Sequence, residues 1–111
     1  MPAGAMRHRI VIQRDDGASD DAYGAHVEAW ADLYASVPAE IDTGGSMKFY
    51  VAHQVEQKLT HMITTRYIDG LDITDNLRIM WGTRTFDLLG PPLDVNGQRR
   101  ALEFRCVEHV T

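Results

Sequence analysis

The chain contains a single cysteine, Cys106, among its 111 residues. An intramolecular disulfide is therefore excluded, and a reducing compartment is the simplest expectation. No apolar run approaches the roughly 20 residues that a membrane-spanning helix needs. The first nine residues also lack the hydrophobic core of a secretory signal peptide. These absences predict a protein that needs no disulfide, carries no leader and does not associate with a membrane.

Positive charge is also scarce, since 11 lysines and arginines stand against 16 aspartates and glutamates, for a net charge of −5. Proteins whose main task is to grip nucleic acid neutralise phosphates with an excess of basic side chains. The charge balance argues against that task. It is compatible with an acidic wall past which DNA slides, because such a wall repels the polymer and does not hold it.

The usual signatures of catalysis and metal binding are missing as well. There is no Gly-x-Ser-x-Gly motif and no glycine-rich phosphate loop. Asp69, Asp72 and Asp75 recur at every third residue, whereas a calcium loop needs ligands at alternate positions. The histidines lack the close, repeated spacing of zinc ligands; they are His8, His26, His53, His61 and His109. We therefore expect no enzymatic activity, no metal and no cofactor.

Period-two alternation of apolar residues runs through most of the chain and predicts strands. The clearest pair is Leu77 to Trp81 and Arg84 to Leu89, joined by Gly82-Thr83, which is a tight hairpin signal of type II′. Further strands are predicted at 8–14, at 27–33 with a continuation over 34–41 after a bend, and at 99–110, where Leu102, Phe104 and Cys106 point inward. Pro38 lacks a backbone donor and predicts an edge or a bulge. Residues 15–24 predict a solvated loop, and 94–97 a loop tip.

In the segment from Thr43 to Tyr67, the spacing of the apolar residues changes from helical to alternating. Met47, Val51 and Val55 fall at i, i+4 and i+8 with Tyr50 beside them, which predicts a short helix over about residues 45–57 with an apolar face. Thr43 or Ser46 could cap it. From residue 59 onward the period becomes two. Leu59, His61, Ile63, Thr65 and Tyr67 then share one face of a strand.

These elements predict a mainly β protein with one domain over residues 1–111. Short antiparallel strands without interleaved helices favour a small barrel of six or seven strands, with the helix closing one end. The aromatic residues are spread one or two to a strand, which suits a barrel interior better than an exposed stacking platform.

Several short motifs, in this order and spacing, resemble the small head-closure or head-tail joining proteins of tailed bacteriophages. Each motif is weak alone, but together they span nearly the whole chain. They are Gly4 with Arg7 to Arg14, Asp21 to Gly24, Trp30, Tyr34 to Ile41, Gly45, Ala52 to Val55, Thr60 to Tyr67, Leu77 to Ile79, Gly82 to Phe86, Asn96 to Arg100, and Leu102 to Cys106.

The resemblance implies a head-closure-like β-barrel that assembles as a homo-oligomeric ring. Such a ring lies between the portal and adaptor proteins above and the tail terminator or tail proteins below. It closes the DNA exit channel after packaging, provides the tail attachment surface, and lets double-stranded DNA pass without specific binding. The implied location is the head–tail interface of the virion, with assembly in the bacterial host cytoplasm. The same module occurs in prophages and gene transfer agents.

A ring needs contacts between two different faces of one subunit. We expect the early loop and the segment 43–57 to supply ring or channel contacts, because both are long insertions between strands. The basic clusters at the start of the chain and at 98–100 are protein contacts, DNA contacts or a solvated face. The residues expected at the ring or channel interface are Asp20, Asp21, Tyr23, Phe49, Tyr50, His53, Arg84, Arg99 and Arg100.

Two other classes of function stay open at this point. A nucleic-acid-binding barrel of the OB type would show exposed aromatic side chains on a basic face and strongly salt-dependent binding. A small enzyme would bring polar residues together in a pocket. The acidic balance speaks against the first, and no such polar set is visible in the sequence for the second.

Overall fold

The computed structural model describes residues 6–15, 19–20, 26–27, 30–71 and 76–109. Within these ranges the chain forms nine strands, one α-helix and a 3₁₀ turn at Val95–Gly97. The helix, α1, spans Met47–Val55. The strands are β1 (His8–Asp15), β2 (Ser19–Asp20), β3 (His26–Val27), β4 (Trp30–Asp42), β5 (His61–Arg66), β6 (Leu77–Trp81), β7 (Arg84–Leu88), β8 (Leu93–Asp94) and β9 (Ala101–His109).

Six of the strands close into an antiparallel barrel. They follow the order β5-β4-β1-β6-β7-β9, and β9 pairs back onto β5. The two-residue strand β8 pairs with β9 beyond the end of β7, while β2 and β3 form a separate two-stranded sheet. The predicted class, a small antiparallel barrel with one short helix, is confirmed.

The barrel interior is filled by the alternate residues that the period of two predicted. Ile79 lies opposite both Ile12 and Phe86, and Ile63 lies opposite Phe104. All five of these side chains are inaccessible to solvent. Since burial of such side chains is the main stabilising term in folding, this cluster is what holds the strands in one register.

The β6–β7 hairpin turns at Gly82-Thr83, as predicted. Gly82 has φ = 63°. Among the described residues other than glycine, only Ser36, Asn96 and Arg99 have positive φ, so Thr83 does not. A positive φ at the first central residue alone fits a type II′ turn.

The strand β4 differs from its prediction. It runs without interruption over 13 residues, where two strands separated by a bend had been expected near Tyr34. The irregularity is a bulge, because the β1–β4 register shifts on both sides of Ile12 and Ser36 adopts φ = 55°. The bulge lies two residues before Pro38, in agreement with the prediction that this proline marks an irregular position.

The position of α1 also corrects an expectation, since the helix does not close an end of the barrel. It packs against the outer face of β5 and β9, where Phe49 and Ala52 meet Leu59 and Met62 in a second buried cluster. Met62 lies on the opposite face of β5 from the interior residue Ile63. Strands β5 and β9 are therefore buried on both faces.

Candidate assembly surface

The start of α1 is fixed by hydrogen bonds within the preceding loop. Ser46 is the N-cap, and its Oγ accepts a hydrogen bond of 3.0 Å from the Phe49 amide. One carboxylate oxygen of Asp42 accepts bonds from the amides of Gly44 (2.9 Å) and Gly45 (3.0 Å), and the other accepts one from the Ser46 hydroxyl. Of the two predicted caps, Ser46 is therefore the one used.

The inner side of the helix is held by a small apolar cluster and by a buried carboxylate. Phe49 and Ala52 are buried against the barrel wall. Glu103, on the outer face of β9, is almost fully buried; its oxygens lie 2.7 Å from Lys48 Nζ on the helix and 3.2 Å from Arg105 Nε. A buried carboxylate is costly unless it is paired. Lys48 therefore links the helix to the wall, and Arg105, on the same strand as Glu103, supplies a second positive charge.

The outer side of the helix is exposed and mainly apolar, with Lys48 and Gln54 as its exposed polar residues. The residues whose helical spacing predicted α1 are solvent-exposed: Met47 by 75%, Tyr50 by 61%, Val51 by 57% and Val55 by 83%. These four residues are called the α1 face below. A cleft of about 210 Å³ adjoins its C-terminal end and is lined by Val55, Leu89, Pro91 and Leu93, among others.

A polar cluster covers the end of the barrel at which β5 and β7 begin and β9 ends. The Arg84 guanidinium donates two bonds of 2.8 Å to the Glu108 carboxylate and lies over the rings of Trp81 (4.9 Å) and Phe86 (5.5 Å). Hydrogen bonding by Arg84 lowers the pKa of Glu108. Arg84, predicted as an interface residue, is thus engaged within its own subunit.

The ring of His61 lies beneath this ion pair and against Phe86, with 4.6 Å between ring centroids. Arg84 Nη2 is 3.4 Å from His61 Nε2, and Thr60 Oγ1 is 2.9 Å from His61 Nδ1. Because a guanidinium only donates, Nε2 must accept, and the proton of the neutral ring sits on Nδ1. Burial and the positive charge of Arg84 both lower the pKa of His61.

The predicted interface residues lie in several parts of the structure. Tyr50 is exposed on α1, His53 is half-buried with its ring stacked on Phe49, and Phe49 itself is buried. Asp20 belongs to β2, while Asp21 and Tyr23 lie outside the described residues. The three helix residues therefore do not share one surface, since Tyr50 is on the outer side of α1 and Phe49 on the inner side.

Arg99 and Arg100 immediately precede β9 and are exposed. The Arg100 carbonyl accepts a bond of 3.0 Å from the Tyr67 amide, which brings it beside the end of β5. Arg66 ends that strand, and Arg9 lies nearby on β1; sequence reasoning did not single out either of them for this neighbourhood. The missing signal was the strand pairing, which no local pattern reveals.

Two other described histidines and Cys106 make separate contacts. His8 packs on Trp81, with 4.8 Å between ring centroids, and His109 Nδ1 lies 3.3 Å from Asp87 on the outer wall. Cys106 faces the interior, and burial, aided by the negative charge of Asp87, raises the pKa of its thiol. Within the described ranges, no three His, Cys, Asp or Glu residues are grouped as metal ligands would be. No helix in these ranges is long and apolar enough to span a bilayer.

Comparison with known proteins identifies a family and similar solved structures. The sequence profile of the family described as phage head completion protein matches residues 1–109. The solution structure of protein SF1141 from Shigella flexneri 2a is similar, with a TM-score of 0.69 and 27% identity over 99% of this chain and 98% of that one. No curated protein matches.

Proposed function

Because this chain belongs to the phage head completion protein family, we propose that it forms a ring below the portal and adaptor, closes the DNA exit after packaging and presents the surface to which the tail attaches. Membership assigns it a structural role in head assembly, as a virion component that contacts other head or tail proteins. The proposal adds the position at the head–tail interface and assembly in the host cytoplasm. It includes no catalytic step.

The observation that carries this proposal is the exposed α1 face. Its apolar residues recur at the period of a buried helix side, yet more than half of each side chain is in water. Contiguous apolar patches of this kind on a soluble protein mark sites of protein contact. Four such side chains present only a few hundred Å² in total, less than the ~800 Å² per partner of a standard stable interface. The free subunit is therefore expected to be monomeric, and the face is buried only when several contacts form together.

The barrel gives this face a rigid base. The helix rests on β5 and β9, whose opposite sides form part of the interior, so a neighbour that binds α1 is coupled to the whole barrel. Within the proposal, Tyr50 contacts the neighbour directly, while Phe49 and His53 hold the helix from beneath. The ring would let double-stranded DNA pass without specific binding, in keeping with the net charge of −5.

The test is incorporation into particles. Val51→Asp combined with Val55→Asp places two charges on the α1 face. We expect this variant to fold as the wild type does, but to reduce its incorporation into heads and the yield of tailed particles by ~10-fold or more, as loss of a central contact does. The matched control, Thr43→Asp with Gln57→Asp, adds the same charge to exposed positions outside the face.

Particles should be produced from a genome that lacks its own copy of the gene, and the protein content of purified heads should be measured. The proposal is contradicted if the α1-face variant is incorporated as well as its control, or if heads that lack the protein retain DNA and join tails normally.

A further inference from the structure

Several arginines that lie far apart in the sequence come together on the outer wall of the barrel. Arg9 on β1 is opposite Pro38 on β4, and the β4–β5 ladder brings Pro38 level with Arg66. Arg66 in turn pairs with Ala101, the first residue of β9. Arg9 and Arg66 are thus two strand spacings apart, or about 10 Å. Together with the two residues that immediately precede β9, they form what is called the basic row below: Arg9, Arg66, Arg99 and Arg100.

The side chains of the basic row have no partner within the subunit. All four are exposed, and among the described residues none of their guanidinium groups takes part in a hydrogen bond, an ion pair or a ring contact. Elsewhere on the barrel a guanidinium is neutralised locally, as Arg84 is by Glu108. Glu40, two residues from Pro38, borders the row without pairing with it. The row is therefore a site of unsatisfied positive charge on an acidic protein.

The basic row lacks the apolar centre that a protein interface has. Among the described residues, the large hydrophobic side chains that are exposed belong to the α1 face or, in the case of Leu93, to the cleft beside it. Near the row, Met6 is buried and only Pro38 offers exposed apolar atoms. Interfaces between proteins have a core depleted of charge, whereas interfaces with nucleic acid are polar and strongly positive. The composition of the row is that of the second kind.

The dimensions of the row fit the phosphates of a duplex. Three strand spacings separate Arg9 from the start of β9, which is about 14 Å. The major groove of B-DNA is about 12 Å wide, so the two ends of the row reach phosphates on both edges of one groove. Arg9 and Arg66 also border a cleft of about 260 Å³. A phosphate group in this cleft would accept paired hydrogen bonds from either guanidinium.

We propose that the basic row binds the phosphates of double-stranded DNA, independently of the base sequence. The inference rests on the proposed function for the source of that DNA, which is the genome that passes through the ring. The net charge of −5 does not prevent the contact, because exposed charges farther away than about 8 Å are largely screened at physiological salt. It does limit the strength of the contact. A single subunit therefore holds DNA weakly, and a ring holds it by many such contacts at once.

The test is a titration of the free, isotope-labelled protein with two 12-base-pair duplexes of unrelated sequence, followed by NMR. At ~20 mM salt, both duplexes should shift the amide signals around Arg9, Arg66 and Arg100 to the same extent and leave those of α1 in place. The association constant should fall as salt is added, with a log–log slope of about −3 to −4 if three or four phosphates are neutralised.

Single substitutions then count the phosphate contacts. Arg66→Gln should weaken binding roughly fivefold at ~20 mM salt and make the slope less steep by about 1. Adding Arg9→Gln should change the slope by about 1 more. Lys58→Gln is the matched control, because it removes the same charge from an exposed position outside the row; it should leave the slope unchanged. A general loss of folded protein would lower the apparent affinity but not the slope.

Three results would overturn the inference. They are the absence of amide shifts with either duplex at protein concentrations up to ~1 mM, shifts confined to residues outside the row, and tighter binding of the row to poly-L-glutamate than to duplex at equal charge, which would indicate a protein carboxylate as the partner. If duplex binding fails while the α1-face variant is defective in particles, this site is refuted and the proposed function stands. Normal particles from the α1-face variant would refute the proposed function instead.

Discussion

The barrel and the helix α1 both contain apolar residues at the period of their secondary structure, but these residues are buried in the barrel and exposed on the helix. In the barrel, apolar residues at period two face inward, and Phe86 and Phe104 are fully buried. On the helix, apolar residues at i, i+4 and i+8 face outward, and Phe49 and Ala52, which lie off that stripe, make the contact with the wall. Hydrophobic periodicity thus identifies an element and one of its faces, but it does not determine whether that face lies inside the subunit or on its surface.

The largest expected effect comes from the barrel interior. Phe104→Ala leaves a cavity among fully buried side chains, and substitutions of this type cost about 3–5 kcal/mol of unfolding free energy. Val51→Ala, on the α1 face, removes side-chain atoms that are mainly in water and should change the unfolding free energy by less than ~0.5 kcal/mol. Urea denaturation of both variants measures the contrast. An equal loss of unfolding free energy in the two variants would mean that the α1 face is packed within the free subunit.

An intermediate effect is expected at the inner side of the helix. Phe49→Ala removes the main apolar contact between α1 and the wall and should cost about 2 kcal/mol, the value for burying one such side chain. The loss should be local, with faster amide exchange in α1 than in β6 and β7. Tyr50→Ala, one residue along and exposed, is the matched control and should leave exchange in α1 close to that of the wild type. Global unfolding by the Phe49 substitution would show that helix and barrel are one cooperative unit.

The smallest effect on the unfolding free energy is expected from His61, at the end of the barrel that the Arg84–Glu108 ion pair covers. The pKa of His61 is lowered in the folded state, so the unfolded chain binds more protons and stability rises with pH. This contribution is present above pH ~6.5, the ordinary histidine value, and is lost as the pH falls towards the lowered folded pKa. His61→Gln should flatten the dependence of unfolding free energy on pH between about 7 and 5. An unchanged slope would show that His61 is accessible to protons in the folded state.

The β elements were predictable where alternation was long and uninterrupted. Strand β6 and the turn at Gly82 agree with their predictions, because one apolar face and one glycine of positive φ determine them locally. The strands β2, β3 and β8 have two residues each, which is too short to show a period, so their pairings were not predicted. The continuity of β4 was not predicted, because the bulge at Ser36 depends on the pairing of β4 with β1.

The candidate surfaces were predictable only in part. The segment 43–57 was predicted to supply contacts, with Tyr50 at the interface, but its packing on the outer wall of the barrel was not predicted. One clue to this placement was in the sequence: Met62 and Ile63 are apolar at successive positions of β5, as in strands that are covered on both sides. The charge of Glu103 concealed this pattern in β9. The proximity of Arg9, Arg66, Arg99 and Arg100 could not be predicted, because it depends on the strand pairings that join β1, β4, β5 and β9.

The central claim, that the α1 face is exposed in the free subunit and covered in the assembled head, is tested most directly by oxidation of Met47. This side chain is 75% exposed, whereas Met62 beneath the helix is 2% exposed and serves as the internal reference. With dilute hydrogen peroxide and peptide mass spectrometry, Met47 should be oxidised much faster than Met62 in the free protein, and should be protected ~10-fold or more in purified particles. An equal rate of Met47 oxidation in free protein and particles would contradict the account.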